Sequence, residues 1–411
     1  MFIDLIFLVL AWVVVWSVII IKRYRQELLS YWREPVLKHP VLIFESDDWG
    51  AGPLIQANVL QRISSLLLQY SDKHGHHPIM TLGVILSIPD FKKIKLSGFK
   101  TYYWQGLDQP IFSSIKAAML DGKAHGVFDL QLHGMAHYWP ANLMHLLQID
   151  AQLKQRLNEE EFLVTETLPS VIQSRWTNTE NLPTVPLSHE EIGQAVGEEV
   201  NLFKELFGFN PEVVVPPTFV WDRTVERYWK QRSVNYLVTP GKCFERRDKE
   251  GKPCGSDQKI TSGQLSESGL IYFVRNDYFE PSLGHSHDMA LSALAKKTQL
   301  AQPALLEIHR VNFIQNDDMT EKSLKELELA ISRSIDKYPD LLFLSTKELA
   351  DKYRSNNDYF IEKSYRIRFL VSVVRLWANN AIRKWLYLSG LFLPLRCLIY
   401  WHYRSWHRKI Y

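Results

Sequence analysis

Five residues in three short segments have the types and spacing that metal-assisted hydrolysis needs. In Phe44-Glu45-Ser46-Asp47-Asp48-Trp49-Gly50 two carboxylates stand side by side directly after an apolar run. Like charges this close raise each other's pKa, and a bound cation or a catalytic proton relieves the repulsion. The competing use of such a pair is an ordinary cap or turn. His133 and His137 are four apart in Leu132-His133-Gly134-Met135-Ala136-His137. That spacing sets two imidazoles on one face of a helical turn, where both reach one ion of zinc type and an Asp oxygen completes a three-ligand open site. His309 ends the apolar run Leu305-Leu306-Glu307-Ile308. An imidazole there can serve as general acid, since its unperturbed pKa lies near working pH.

These segments need a scaffold that brings them together. Short β-branched runs alternate with amphipathic or polar stretches from residue 41 to residue 347. Strands are expected at 41–45, 81–86, 127–132, 212–215, 236–238, 270–274, 305–308 and 341–344, and the alternation predicts a parallel α/β fold. The acidic pair, the histidine pair and His309 then fall at the C-terminal ends of different strands, where α/β barrels place their active sites. Ser188 and Glu191 form a capping box for a helix that Gly208 ends, and a second helix is expected over 320–338. Residues 165–186 and 242–267 are long polar stretches, read as insertions on the barrel rim.

The order Asp-Asp, HxxxH, Pro-aromatic loop and strand-end His resembles the polysaccharide deacetylase family, the metal-dependent carbohydrate esterases with the NodB homology domain. The resemblance runs from about residue 40 to residue 350. It implies a distorted (β/α) barrel of seven or eight strands. It makes Asp47 the general base, His309 the general acid, and Asp48, His133 and His137 the ligands of one divalent metal, Zn2+ by its Asp/His donors. The loop Pro216-Pro217-Thr218-Phe219-Val220-Trp221 would contact substrate and oxyanion through Pro217, Thr218, Phe219 and Trp221. The chain also departs from the family. Val214 and Val215 stand where an Arg normally holds the catalytic Asp, so Arg275 or Arg310 is expected to take over that support. Glu45-Ser46 replaces Thr-Phe, Trp49 is inserted before Gly50 as a further support, and the late Asp motif is matched only by Asn276-Asp277.

The activity implied is removal of an N-acyl, typically acetyl, group from a cell-surface polysaccharide or a lipid-linked sugar. A related barrel glycoside hydrolase would need two carboxylates across a glycosidic bond, and only Asp47 is placed for that. A non-catalytic glycan-binding scaffold with a retained metal site is the alternative from another class. A nucleotide-sugar transferase using Ser46-Asp47-Asp48 would leave the three histidines without a role.

Composition sets the remaining bounds. A 46% hydrophobic and 23% charged chain of 411 residues can bury a full core, so bulk disorder is not expected. Residues 2–21 form an apolar run with one charge, long enough to span a bilayer, and Lys22, Arg23 and Arg25 follow it. This reads as an uncleaved single-pass anchor in a bacterial inner membrane, with the barrel on the cytoplasmic side. Residues 1–22 are thus the anchor, 23–39 a basic linker, 40–355 the barrel and 356–411 basic, Trp-rich helices. Arg366, Arg368, Arg375, Arg383, Lys384, Arg396, Arg404, Arg408 and Lys409 lie among Trp377, Trp385, Trp401 and Trp406 there. Basic residues bordering apolar stretches point to membrane lipid as partner and not to nucleic acid. Cys243, Cys254 and Cys397 are too scattered for a disulfide framework and read as free thiols. His74, His76 and His77, and His285 with His287, read as rim loops; Tyr102-Tyr103-Trp104 reads equally as a sugar platform or a core cap.

Overall fold

The computed structural model describes residues 2–159, 162, 168–256, 258–393 and 395–397. Pro394, Trp401, Arg404, Trp406, Arg408, Lys409 and the 165–167 start of the first polar insertion lie outside them.

Nine strands form one sheet: β1 Val41–Gly50, β2 Met80–Ile85, β3 Phe128–Leu132, β4 Val213–Val214, β5 Tyr236–Thr239, β6 Ile271–Val274, β7 Asp277–Tyr278, β8 Ala304–His309 and β9 Leu342–Phe343. Their order is β6-β5-β4-β3-β2-β1-β8-β7, with β9 beside the start of β1, and every pairing is parallel. Parallel strands are covered on their outer faces by the connecting helices, which is why their sequences read as continuous apolar runs. Leu42, Phe44, Leu82, Leu130, Leu306 and Ile308 are all buried, in one cluster with the helices around them. The expected barrel is distorted in a specific way. Edge strands β6 and β7 do not pair with each other. Instead one run of chain pairs with β5 through Val274, donates from Arg275 N–H to Thr239 O (2.8 Å), and then pairs with β8 from Asp277. The ring is closed by this bent segment, with Arg275 at the bend.

Local chemistry sets the element ends. The capping box forms, with Ser188 accepting from Glu191 N–H, and Gly208 ends that helix at a left-handed φ of 79°. The later helix starts earlier than expected, at Asp317, because the Asn316 side chain caps Met319 N–H; it runs Asp317–Lys337. Strand β1 runs five residues past the expected end and carries the acidic pair inside its pairing. Apolar periodicity stops at Phe44 because Glu45 to Asp48 are polar, although all four are buried. Strand β7 has no counterpart among the expected strands, being two residues long.

Helix α1, Phe2–Arg23, exposes Phe7, Leu8, Leu10 and Trp12 and meets α2, Arg25–Arg33, at an 80° bend. Among the described residues no single helix is long and apolar enough to cross a membrane; α1 and α2 meet that requirement only together. The C-terminal helices α3, Tyr365–Ala378, and α4, Asn380–Ser389, pack back on this pair: Ile382, Leu386 and Leu391 are buried with Ile20 and Tyr31. Arg375, read as a lipid-facing residue, is instead fully buried. Its five N–H donors are matched by the carbonyls of Tyr31, Glu34, Pro35, Leu300 and Ala301 at 2.9–3.2 Å, tying α3 to α2 and to the barrel.

Candidate metal centre

Regular pleating sends adjacent side chains to opposite faces of a sheet, so Asp47 and Asp48 cannot share one site in an ideal strand. A bulge resolves this. Ser46 pairs with Leu82 and Trp49 with Val84, so two residues of β1 face one of β2, and Asp48 takes the left-handed φ of 75°. The residue opposite the bulge is Gly83, and a Cβ there would collide with the Asp47 carboxylate. Trp49 is fully buried; its Nε1 donates to Ser46 Oγ (2.8 Å) and its ring lies 6.3 Å from Phe313, so it braces the bulge from the core.

The two histidines meet by a route that differs from the expected helical turn. Residues 133–139 are loop, Gly134 takes a φ of 93°, and the helix begins only at Pro140. Gly134 reverses the chain so that both rings turn inward. His137 Nε2 lies 3.0 Å from His133 Nε2 and 2.8 Å from Asp48 Oδ1, and His133 Nε2 is 3.4 Å from the same oxygen. His133 Nδ1 donates to Val215 O (2.8 Å), which turns the Nε2 lone pair toward Asp48. Asp48 is buried and neither of its oxygens accepts a hydrogen bond among the described residues. Burial opposes its charge, yet His137 and His133 beside it hold its carboxyl well below the ordinary range. Burial works against charging His133 as well, but Asp47 and Asp48 favour the cation and raise its pKa. These are the features of a cation site. Ligands about 2 Å from a tetrahedral ion sit roughly 3.3 Å from one another, close to the separations found here. Among the described residues this is the one trio of His, Cys, Asp or Glu that comes within 4.8 Å of itself.

Two titratable groups flank the trio. Asp47 and His309 are direct register partners across β1 and β8. Arg275 grips Asp47 from the bend between β6 and β7, Nη2 to Oδ2 at 2.6 Å and Nη1 to Oδ1 at 3.2 Å. Burial disfavours the Asp47 anion, but Arg275 and then His133 outweigh it and lower its pKa. Arg310, the other candidate for that support, gives Asp47 a backbone hydrogen bond, N–H to O at 3.0 Å. His309 Nδ1 lies 2.6 Å from Glu280 Oε1, while Glu280 Oε2 accepts from Asn312 Nδ2. Burial opposes the imidazolium, but the Glu280 hydrogen bond and the Asp48 charge raise His309 to about 10. The His309 side chain is about a third exposed (32%), against 1–6% for Asp47, Asp48, His133 and His137, so the opening of the site lies on its side.

The Pro-aromatic loop borders both halves. A Cβ on Gly134 would lie 3.3 Å from Pro217, and Phe219 lies 5.3 Å over the Arg275 guanidinium. Thr218 and Phe219 hold φ of 52° and 56°, and the Thr218 hydroxyl is tied to Gln173 O. The N–H groups of Phe219, Val220 and Trp221 donate to Pro216, Pro217 and Phe244. Trp221 is a core residue, fully buried with Nε1 on Glu226 Oε1 at 2.9 Å, and so is removed from substrate contact. Asn276 and Asp277 both face Lys297, at 2.7 and 3.1 Å, and not the site.

Glu280, Glu45 and Glu307 are the residues here that motif reading does not find. Glu280 follows the two-residue β7 in Phe279-Glu280-Pro281, and no periodicity marks it. Of the other candidates, His287 pairs with Glu326, His285 accepts from Glu280 N–H, and His74 reaches the Tyr359 hydroxyl. Tyr102 is hydrogen-bonded to Tyr138, whereas Trp104 is exposed. Cys243, Cys254 and Cys397 are free thiols.

No family model matches the chain, and no curated protein does. Solved structures of polysaccharide deacetylases match at low identity. The CE4 domain of a multidomain xylanase from the Trinervitermes trinervoides hindgut metagenome matches at 13% identity and TM-score 0.36, covering 76% of this chain and 91% of its own. A Parabacteroides distasonis protein assigned as a glycoside hydrolase/deacetylase matches at 8% and 0.44, covering 80% and 76%. A CE4 family pseudoenzyme from Bacillus anthracis matches at 10% and 0.35, covering 76% and 66%. At such identities and scores the likeness assigns no role to any side chain.

Proposed function

We propose that this chain is a metal-dependent N-deacylase of a polysaccharide or lipid-linked sugar, tethered to a membrane by its N-terminal helix. The observation that carries the reading is the convergence of Asp48, His133 and His137 with two buried carboxylate oxygens that accept no hydrogen bond among the described residues, between an Arg-held Asp and a Glu-held His. A divalent ion of zinc type fits these donors, and when bound it supplies Lewis acidity toward an amide carbonyl and the attacking water. The chain supplies proton movement. Asp47, kept anionic by Arg275, takes a proton from the attacking water at Oδ1 or Oδ2. His309, kept cationic by Glu280, gives its Nε2 proton to the departing nitrogen, so an acid and a free amine result. The Thr218 N–H, in the turn Pro217–Phe219, is the loop's candidate oxyanion donor.

The exposed apolar side chains of α1 and the adjoining Lys22, Arg23 and Arg25 support a tether with the barrel on the cytoplasmic side, and with it a substrate held at the bilayer surface. Acetate release from a panel of N-acetylated glycans tests the activity. Release by wild type and none by Asp47→Asn supports the reading; no release from any acylated sugar by metal-loaded protein defeats it. A reporter fused after Tyr411 and protease access to spheroplasts test the orientation, and periplasmic exposure of the barrel would reverse it.

A further inference from the structure

Below the metal centre the barrel holds a second charged group that the reaction described above does not use. Glu45 and Glu307 are direct register partners on β1 and β8, and both point into the barrel with Asp47 one layer above. All three carboxylates are buried and share one guanidinium, that of Arg275. Like charges directly opposite on neighbouring strands repel, and burial strengthens the repulsion. One cation cannot satisfy three anions at this spacing, so the group lowers its energy by holding a proton.

Geometry selects the carrier. Arg275 gives Asp47 a two-pronged contact at 2.6 and 3.2 Å and gives Glu307 a contact at 3.1 Å. Its contact to Glu45 is the longest, 3.3 Å, and comes from Nη1, which also serves Asp47. Asp47 and Glu307 each face an imidazole too, at 3.9 and 3.7 Å. Around Glu45 the remaining neighbours are neutral: Gln131 Nε2 at 2.7 Å on β3, the Thr346 hydroxyl from helix Thr346–Arg354, and Thr81 alongside on β2. Arg275, Asp47 and Glu307 are thus the charged groups that face it. Burial raises the Glu45 carboxyl to about 7, with Arg275 opposing.

We propose that Glu45 is a positioning residue that carries a proton in the working enzyme, leaving the Arg275 fork committed to Asp47. When Glu45 is charged it competes for Nη1 and loosens the grip on the base. The proposal rests on the deacylase reading for its catalytic consequence, but not for the proton itself. Two measurements on the metal-loaded, full-length protein separate them. Infrared difference spectra should show a buried carboxylic acid C=O stretch that disappears as pH rises through neutrality and is missing from Glu45→Gln. In acetate release from N-acetylglucosamine oligomers, Glu45→Gln should keep kcat within roughly threefold and lose the decline on the alkaline side that Glu45 causes. Glu45→Ala, which removes the Gln131 and Thr346 partners' acceptor, should lose about tenfold or more in kcat with KM and metal content unchanged. A band that survives in Glu45→Gln overturns the proposal, as does a Glu45→Gln enzyme as slow as Glu45→Ala. If wild type releases no acetate, the deacylase reading fails and the infrared result alone decides the proton.

Discussion

Arg275 and Asp47 are 228 residues apart in sequence and form a two-pronged ion pair, with Nη2 2.6 Å from Oδ2 and Nη1 3.2 Å from Oδ1. The guanidinium comes from the bend where the chain leaves β5 for β8, so the support of Asp47 is built into the closure of the barrel. Replacing it with Lys keeps a charge but loses the planar fork. Arg275→Lys should lower kcat by about 100-fold with little change in KM, read by steady-state kinetics. Arg275→Ala leaves three buried carboxylates without their cation and should also cost about 3–5 kcal/mol in denaturant unfolding.

Gly83 is the space that the Asp47 carboxylate occupies. Gly83→Ala forces Asp47 off its position while leaving the His133, His137 and Asp48 donors in place. Metal content should stay at the wild-type level while kcat falls by roughly 10- to 100-fold. Parallel loss of metal would show that the bulge, and not Asp47 alone, had moved.

Glu280 sets the charge on His309. A general acid works in its protonated form, and His309 is raised from 6.5 to about 10. In the Glu45→Gln background, where the decline set by Glu45 is absent, activity is therefore retained through neutrality and lost as pH rises through the folded His309 value, which a bound dication lowers by repulsion. The same shift stabilises the fold fully below the unfolded value near 6.5, and the gain disappears as pH approaches about 10. Glu280→Gln removes the first group that supports the imidazolium. In that same background its kcat–pH profile should keep its acid side and shift its alkaline limb down by about one unit or more. An unmoved limb would separate His309 from the acid step.

The five residues that the structure brings together are legible in the sequence because they stand just past the ends of apolar runs or four residues further on, and the ends of parallel strands converge on one edge. How they converge is not legible. Asp47 and Asp48 share a site through a bulge, and His133 and His137 meet through a glycine-reversed loop instead of a helical turn. Neither device has a periodic signature. The choice of Arg275 over Arg310 depends on where the chain changes partner between β6 and β7, a tertiary event. Glu280 stands after a strand too short to carry alternation. Trp221 and Arg375 show the opposite failure: an aromatic in a motif and a basic residue in a Trp-rich segment look surface-active, but indole volume and five carbonyl partners draw them into the core.

Metal stoichiometry tests the central claim most directly. Elemental analysis of purified, full-length protein should find about one divalent ion per chain in wild type and a loss of it in both Asp48→Ala and His133→Ala, with each variant still folded by circular dichroism. Wild-type protein that takes up no stoichiometric metal, or variants that retain it, would contradict the assignment of Asp48, His133 and His137 as a metal site.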